Sequence, residues 1–180
     1  ASTAAGTLTV GTLSGLVNSE TLTVSGSAAA LTDKNAGSYT TTVTYTLGNG
    51  TGGGLATNYS LANSTNVAAQ ITPKALTVTG STAASRAYDG STSATITVGT
   101  LSGFVGSETV TATAAGTFDS ANAGSRTATA VYTLANGTGG GLAGNYSLAN
   151  SSLSASITPK ALTITAPTIA SKVYDASTAA

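Results

Sequence analysis

Ser38-Tyr-Thr-Thr-Thr-Val-Thr-Tyr-Thr-Leu47 decides the fold class. Tyr39, Val43, Tyr45 and Leu47 share one parity; Thr40, Thr42, Thr44 and Thr46 share the other. Successive side chains of a strand point to opposite faces, so this alternation describes a half-buried strand. A one-residue slip would exchange the faces, which pins the register. Working outward, Thr7-Leu-Thr-Val10, Glu20-Thr-Leu-Thr-Val24, Ala75-Leu-Thr-Val-Thr79, Ala94-Thr-Ile-Thr-Val98 and Glu108-Thr-Val-Thr-Ala112 alternate in the same way. Further short strands are expected at residues 58–61, 67–71, 126–134, 145–148 and 153–157. Between them lie turn signals: Gly11-Thr-Leu-Ser-Gly15, Asp33-Lys-Asn-Ala-Gly37 and Gly48-Asn-Gly-Thr-Gly-Gly-Gly54, the last read as a flexible hairpin connection. No long 3.6-residue periodicity competes with them. The expected fold is all-β: small antiparallel sandwiches of the Ig-like kind, strung into an elongated rod. A β-grasp-like mixed sheet is the alternative.

The strands come in two sets. Leu13-Ser-Gly15 returns as Leu101-Ser-Gly103, Asn35-Ala-Gly37 as Asn122-Ala-Gly124, and Ile71-Thr-Pro-Lys74 as Ile157-Thr-Pro-Lys160. The spacing of about 87 residues exceeds that of solenoid repeats and suits small domains in tandem. Residues 75–160 form one complete unit. Residues 1–74 are a unit without its first strand and its Tyr-Asp-Gly turn. Residues 161–180 repeat that strand and turn for a further unit. The closing Ala176-Ser-Thr-Ala-Ala180 also repeats the opening Ala1-Ser-Thr-Ala-Ala5, as in one double-length period of a longer array.

Composition narrows the functional classes. Charged residues are 7% of the chain and balance to zero, which argues against nucleic acid and anionic membrane surfaces as partners. There is no His, Cys, Met or Trp. Nucleophilic catalysis therefore lacks an imidazole base and a thiol. The acids are scattered and form no Asp-x-Asp-x-Asp-Gly loop, so calcium is not expected. The glycine-rich loops are not followed by Gly-Lys-Ser/Thr, so they do not read as phosphate loops. No apolar run approaches the ~20 residues of a membrane helix. Neither a cofactor, a metal, a catalytic set nor membrane insertion is expected.

Arg86-Ala-Tyr-Asp-Gly90, preceded by Ile71-Thr-Pro-Lys-Ala-Leu-Thr-Val-Thr79 and followed by Gly144-Asn-Tyr-Ser-Leu148, resembles the YDG-type repeats. Those are mostly-β, glycine-rich modules of large bacterial surface and secreted exoproteins that accompany filamentous-haemagglutinin-like adhesins. The resemblance implies a secreted or cell-surface location and a role in adhesion, in a biofilm matrix or in a stalk.

The structural motif to watch is Tyr88-Asp89-Gly90, with Tyr174-Asp175 in the last copy, where Ala176 replaces the glycine. The expected role is local. Asp89 bonds the backbone of its own turn, Gly90 permits a positive φ, and Tyr88 anchors the turn in the core. Asn-x-Ser/Thr occurs at Asn49, Asn58, Asn63, Asn136, Asn145 and Asn150, as the composition alone would give. Two functional classes are carried forward. One is a structural stalk or fibre module whose partners are neighbouring copies of itself, joined by strand addition. The other is an adhesive module for a surface polysaccharide, which would want an exposed aromatic platform.

Overall fold

The computed structural model describes residues 3–4 and 6–178. The protein is all-β, with thirteen strands among the described residues. They are β1 (Leu22–Ala28), β2 (Gly37–Asn49), β3 (Ser64–Ile71), β4 (Lys74–Thr79), β5 (Thr82–Ala83), β6 (Arg86–Ala87) and β7 (Ser93–Ala94). β8 (Ile96–Thr97), β9 (Thr100–Ser102), β10 (Val110–Phe118), β11 (Gly124–Asn136), β12 (Tyr146–Leu148) and β13 (Ser151–Thr158) complete the set. Single 3-10 turns stand at Ala56–Asn58 and Ala143–Asn145.

β2 is the strand that the alternation describes. Tyr39, Val43, Tyr45 and Leu47 turn inward, while Thr40, Thr44 and Thr46 face solvent. Thr41 shares the inner face and is buried. Its hydroxyl donates to the carbonyl of Ala29 at 2.7 Å, which satisfies the one polar atom placed there. β1 and β3 flank β2, both antiparallel, giving the order β1-β2-β3. A bulge shifts the β2–β3 register between Thr41 and Val43. Asn66 sits beside it with φ +57°, a left-handed conformation that Asn tolerates better than most residues.

The counterparts β10, β11 and β13 hold the same order in a larger sheet, β6-β13-β11-β10-β7. A second sheet, β12-β4-β9, and the pair β5-β8 lie with it. Two lean cores fill this second body. Ala94, Phe118, Ala128 and Ile157 form one, with Ala83, Ile96 and Ala155 packed against it. Leu76, Val110 and Tyr146 form the other, beside Leu101, Phe104 and Leu148. The Phe104 and Tyr146 rings meet edge to face, 5.8 Å apart.

Three expectations are corrected. First, the pairing is not purely antiparallel: β12 runs parallel to β4, and β13 parallel to β6. Alternation reports which face a residue takes, and it carries no information on strand direction. Second, residues 7–10 and 58–61 were expected as strands and form none. Their counterparts around residues 94–98 and 145–148 are strands because β5 and β4 pair with them, and among the described residues no strand stands in for β5 and β4 beside the first sheet. Third, residues 161–165 alternate like β4 yet form no strand; Leu162 is 91% exposed where Leu76 is 5%.

The glycine loops are also tighter than a flexible connection. The Thr21 N–H bonds the Thr51 carbonyl at 3.0 Å and their hydroxyls meet at 2.8 Å; Thr109 and Thr138 repeat both contacts at 3.0 and 2.8 Å. A Cβ on Gly54 or Gly141 would lie 2.0 or 1.9 Å from the carbonyl of Thr21 or Thr109. Glycine is required there by close backbone approach.

Phe118 is the largest side chain in its cluster and 2% exposed. Phe118→Ala should lower stability by about 3–5 kcal/mol, read as a shift of the urea midpoint at constant slope. A change under about 1 kcal/mol would show that this cluster does not hold the body together.

Candidate functional site

Tyr88, Asp89 and Gly90 form a single turn that follows β6. The Asp89 carboxylate accepts the N–H of Ser91 at 2.8 Å, an Asx turn, and Gly90 takes φ +83°. Arg86 closes the turn. Its guanidinium pairs with Asp89 and donates to the carbonyl and hydroxyl oxygens of Ser91. The same group lies over the Phe118 ring, 5.6 Å from its centroid, so the clamp is seated on the core. Backbone bonds tie the motif to β13: the Tyr88 N–H donates to the Thr158 carbonyl at 2.8 Å. The Ser91 N–H, and then Arg86, hold the Asp89 carboxyl below the ordinary carboxylate range.

The tyrosine does not behave as expected. Tyr88 is 41% exposed and is absent from both cores, so Arg86, not Tyr88, anchors the turn. The residues of the last copy build the same turn. Asp175 accepts the Ser177 N–H at 2.9 Å and pairs with Lys172 at 3.1 Å. Ala176 takes φ +61° in the glycine's place, so the conformation is kept despite its Cβ. Here the turn stands in solvent, with Tyr174 88% exposed.

A second constellation was not foreseen. β3 and β4 are separated by Thr72 and Pro73 alone. Across this short connection Asn145 reaches back to the turn before β2. Its carbonyl oxygen accepts the Ala36 N–H at 2.8 Å, and its amide donates to the Asn35 side chain at 2.9 Å. Asn35-Ala-Gly37 and the Asn-Tyr-Ser-Leu run both recur in the sequence, and that shared recurrence was the available signal. Next to Asn145, the Tyr146 hydroxyl donates to Glu108 at 2.7 Å and accepts the Val105 N–H at 3.1 Å. The Glu108 carboxylate raises the Tyr146 phenol above its ordinary value. Tyr59, Glu20 and Val17 form the same network beside the first sheet.

The asparagine sequons serve structure in several places. Asn49 and Asn136 each accept a backbone N–H, from Ala56 and Ala143, both at 2.8 Å. No cluster of metal-ligating residues occurs among the described residues.

The stretch from Thr72 to Ser154, carrying the clamped turn, matches a known family model. A YDG domain occupies residues 72–154. No curated protein and no solved structure matches the chain. The YDG domain thus takes in β4 through β12, the Arg86–Asp89 clamp, and Asn145 at the joint.

The lowered Asp89 carboxyl fixes the sign of an acid response. Its contribution is complete above the unfolded value of about 3.9 and is lost as pH falls through the lower folded value. The Ser91 amide should therefore keep its protection from hydrogen exchange down to about pH 4 and lose it below. Asp89→Ala should remove that protection at every pH; an unchanged Ser91 amide in this variant would show that the turn forms without the carboxylate.

Proposed function

We propose that the chain is a structural repeat module, a stalk or fibre unit of a secreted bacterial adhesin or biofilm-matrix protein, with no catalysis of its own. The observation that carries this reading is the joint. Two bodies with corresponding sheets meet through a two-residue connection that includes Pro73, and Asn145 bonds both Asn35 and Ala36 across it. Proline restricts the connection, and the paired hydrogen bonds fix the angle. Repetition of one fixed angle turns small domains into a rod. The bodies are read as tandem sandwich-like units, with residues 1–74 as the incomplete one and residues 75–160 as the complete one. The YDG match at residues 72–154 supports an extracellular bacterial setting, through the company that such domains keep. Five of the seven tyrosines favour this reading over a sugar platform, since Tyr39, Tyr45, Tyr59, Tyr132 and Tyr146 spend their hydroxyls on internal hydrogen bonds, while Tyr88 and Tyr174 are exposed.

Asn145→Ala should leave each body folded and loosen the joint. Small-angle scattering should change from that of one rigid elongated particle to that of two bodies in a range of angles. Unchanged scattering would remove the joint as support for the rod. For the setting, antibodies against the chain should decorate fibres outside the producing cells; labelling confined to the cell interior would overturn it.

A further inference from the structure

We propose that Asn49-Gly50 and Asn136-Gly137 are latent self-modification sites, with water as the co-reactant, which each body needs for its fold and keeps shut by hydrogen bonding.

The chemistry follows from the residue pair. Of the asparagines in the chain, only Asn49 and Asn136 precede a glycine. Glycine carries no Cβ, so its nitrogen can approach the side-chain carbonyl carbon of the residue before it. When the Gly137 N–H gives its proton to water, the nitrogen can bond Asn136 Cγ. The Cγ–Nδ2 bond breaks and ammonia leaves, which closes a succinimide ring. Water then opens the ring on either side. Cleavage of the new N–Cγ bond gives aspartate. Cleavage of the original peptide bond gives isoaspartate, whose main chain runs through the side chain and is longer by a carbon. Ammonia goes out and water comes in; no oxidant, metal or second protein is needed.

The fold demands this dipeptide. Asn136 ends β11, and its side-chain oxygen accepts the Ala143 N–H at 2.8 Å. Asn49 ends β2 and accepts the Ala56 N–H at 2.8 Å. A Cβ on Gly137 or Gly50 would run into the carbonyl oxygen of Thr109 or Thr21. An acceptor is wanted at the first position and a bare Cα at the second, so the reactive pair recurs in both bodies. All four residues are exposed, and water reaches them.

The same loops withhold the nucleophile. The Gly137 N–H donates to the Gly141 carbonyl at 3.0 Å, and the Gly50 N–H to the Gly54 carbonyl at 3.0 Å. A nitrogen whose proton is engaged is neither deprotonated nor free to turn toward the side chain. The asparagine is engaged as well, so ring closure has to break a hydrogen bond at each end. Threonines clasp the loop: the Thr138 N–H donates to the Thr109 hydroxyl at 3.0 Å, and the Thr51 N–H to the Thr21 hydroxyl at 2.7 Å. Reaction therefore waits for local opening. The two products differ in what they do to the fold. Aspartate keeps an oxygen for the Ala143 N–H, now as a charge-assisted acceptor. Isoaspartate lengthens a loop packed so closely that Gly141 has no room for a Cβ, so that loop does not reclose.

Peptide mapping of the full chain, incubated folded and in urea at neutral pH, reads the replacement of ammonia by water at each asparagine. Asn49 and Asn136 should convert ahead of every other asparagine in urea, and slowly in the folded chain. Hydrogen exchange of the Gly50 and Gly137 amides reads the opening of the same bonds. Exchange and ring closure both need that N–H released, so the two slowing factors should agree. Thr109→Val removes the hydroxyl that accepts the Thr138 N–H. It should speed Asn136 severalfold while Asn49 keeps its rate, with the β10 and β11 amides still protected. If Thr109→Val unfolds the second body, the agreement of the two factors in the unaltered chain decides alone. Asn136 converting as fast folded as in urea, a slowing unrelated to the protection of Gly137, or no preference for these two asparagines in urea would overturn the proposal.

Discussion

Strand β4 is hydrogen-bonded along both edges, parallel to β12 and antiparallel to β9. It follows β3 after two residues, so the chain passes from one body directly into the interior of a sheet in the next. Leu76 on β4 enters the core with Val110 and Tyr146. With β4 in place, Tyr146–Leu148 becomes a strand and Tyr146 is 5% exposed. Without such a strand, Tyr59-Ser-Leu61 keeps its tyrosine–glutamate bond but stays outside any sheet, with Leu61 39% exposed. The same residues adopt different local structure because their hydrogen-bonding partner is supplied in one place and missing in the other. Context, not propensity, decides it.

The core around Phe118 is built largely from alanine. Ala128 and Ala130 are fully buried on β11, and a Cβ on Gly116 would meet Ile96 at 2.5 Å. Close approach of this kind replaces bulk: layers draw together where large residues are few. The threonines opposite them add β-branched backbone preference on the solvent face without adding an apolar surface. The Arg86 clamp extends the same economy. One guanidinium closes the Asp89 turn and covers Phe118, a residue that such a thin layer would otherwise leave partly open to water.

The long strand β2 was legible in the sequence, whereas the equally alternating residues 7–10 form no strand. β2 buries the residues that its parity assigns, and the Asp89 turn forms through the carboxylate that the residue type predicts. The parallel pairings were not legible, since alternation is blind to direction. Tyr88 was misjudged because an aromatic beside a turn reads as an anchor; the anchoring charge stood two residues earlier, at Arg86. Asn145 was passed over as part of a sequon. Its bonds reach residues 109 and 110 positions away, a distance that no local pattern spans. The positive φ of Ala176 was equally invisible, for the residue type argues against it and its Asp175 turn imposes it.

A pull along the chain enters the second body at Lys74 and leaves it at Thr158. The first element to take the load is β4, and tension acts along its axis while its hydrogen bonds lie across that axis. Bonds arranged so are loaded together, in shear, on both edges of the strand. A strand at the end of a hairpin would instead be peeled away one bond at a time. The element that closes the fold is also the one through which tension passes from one body to the next.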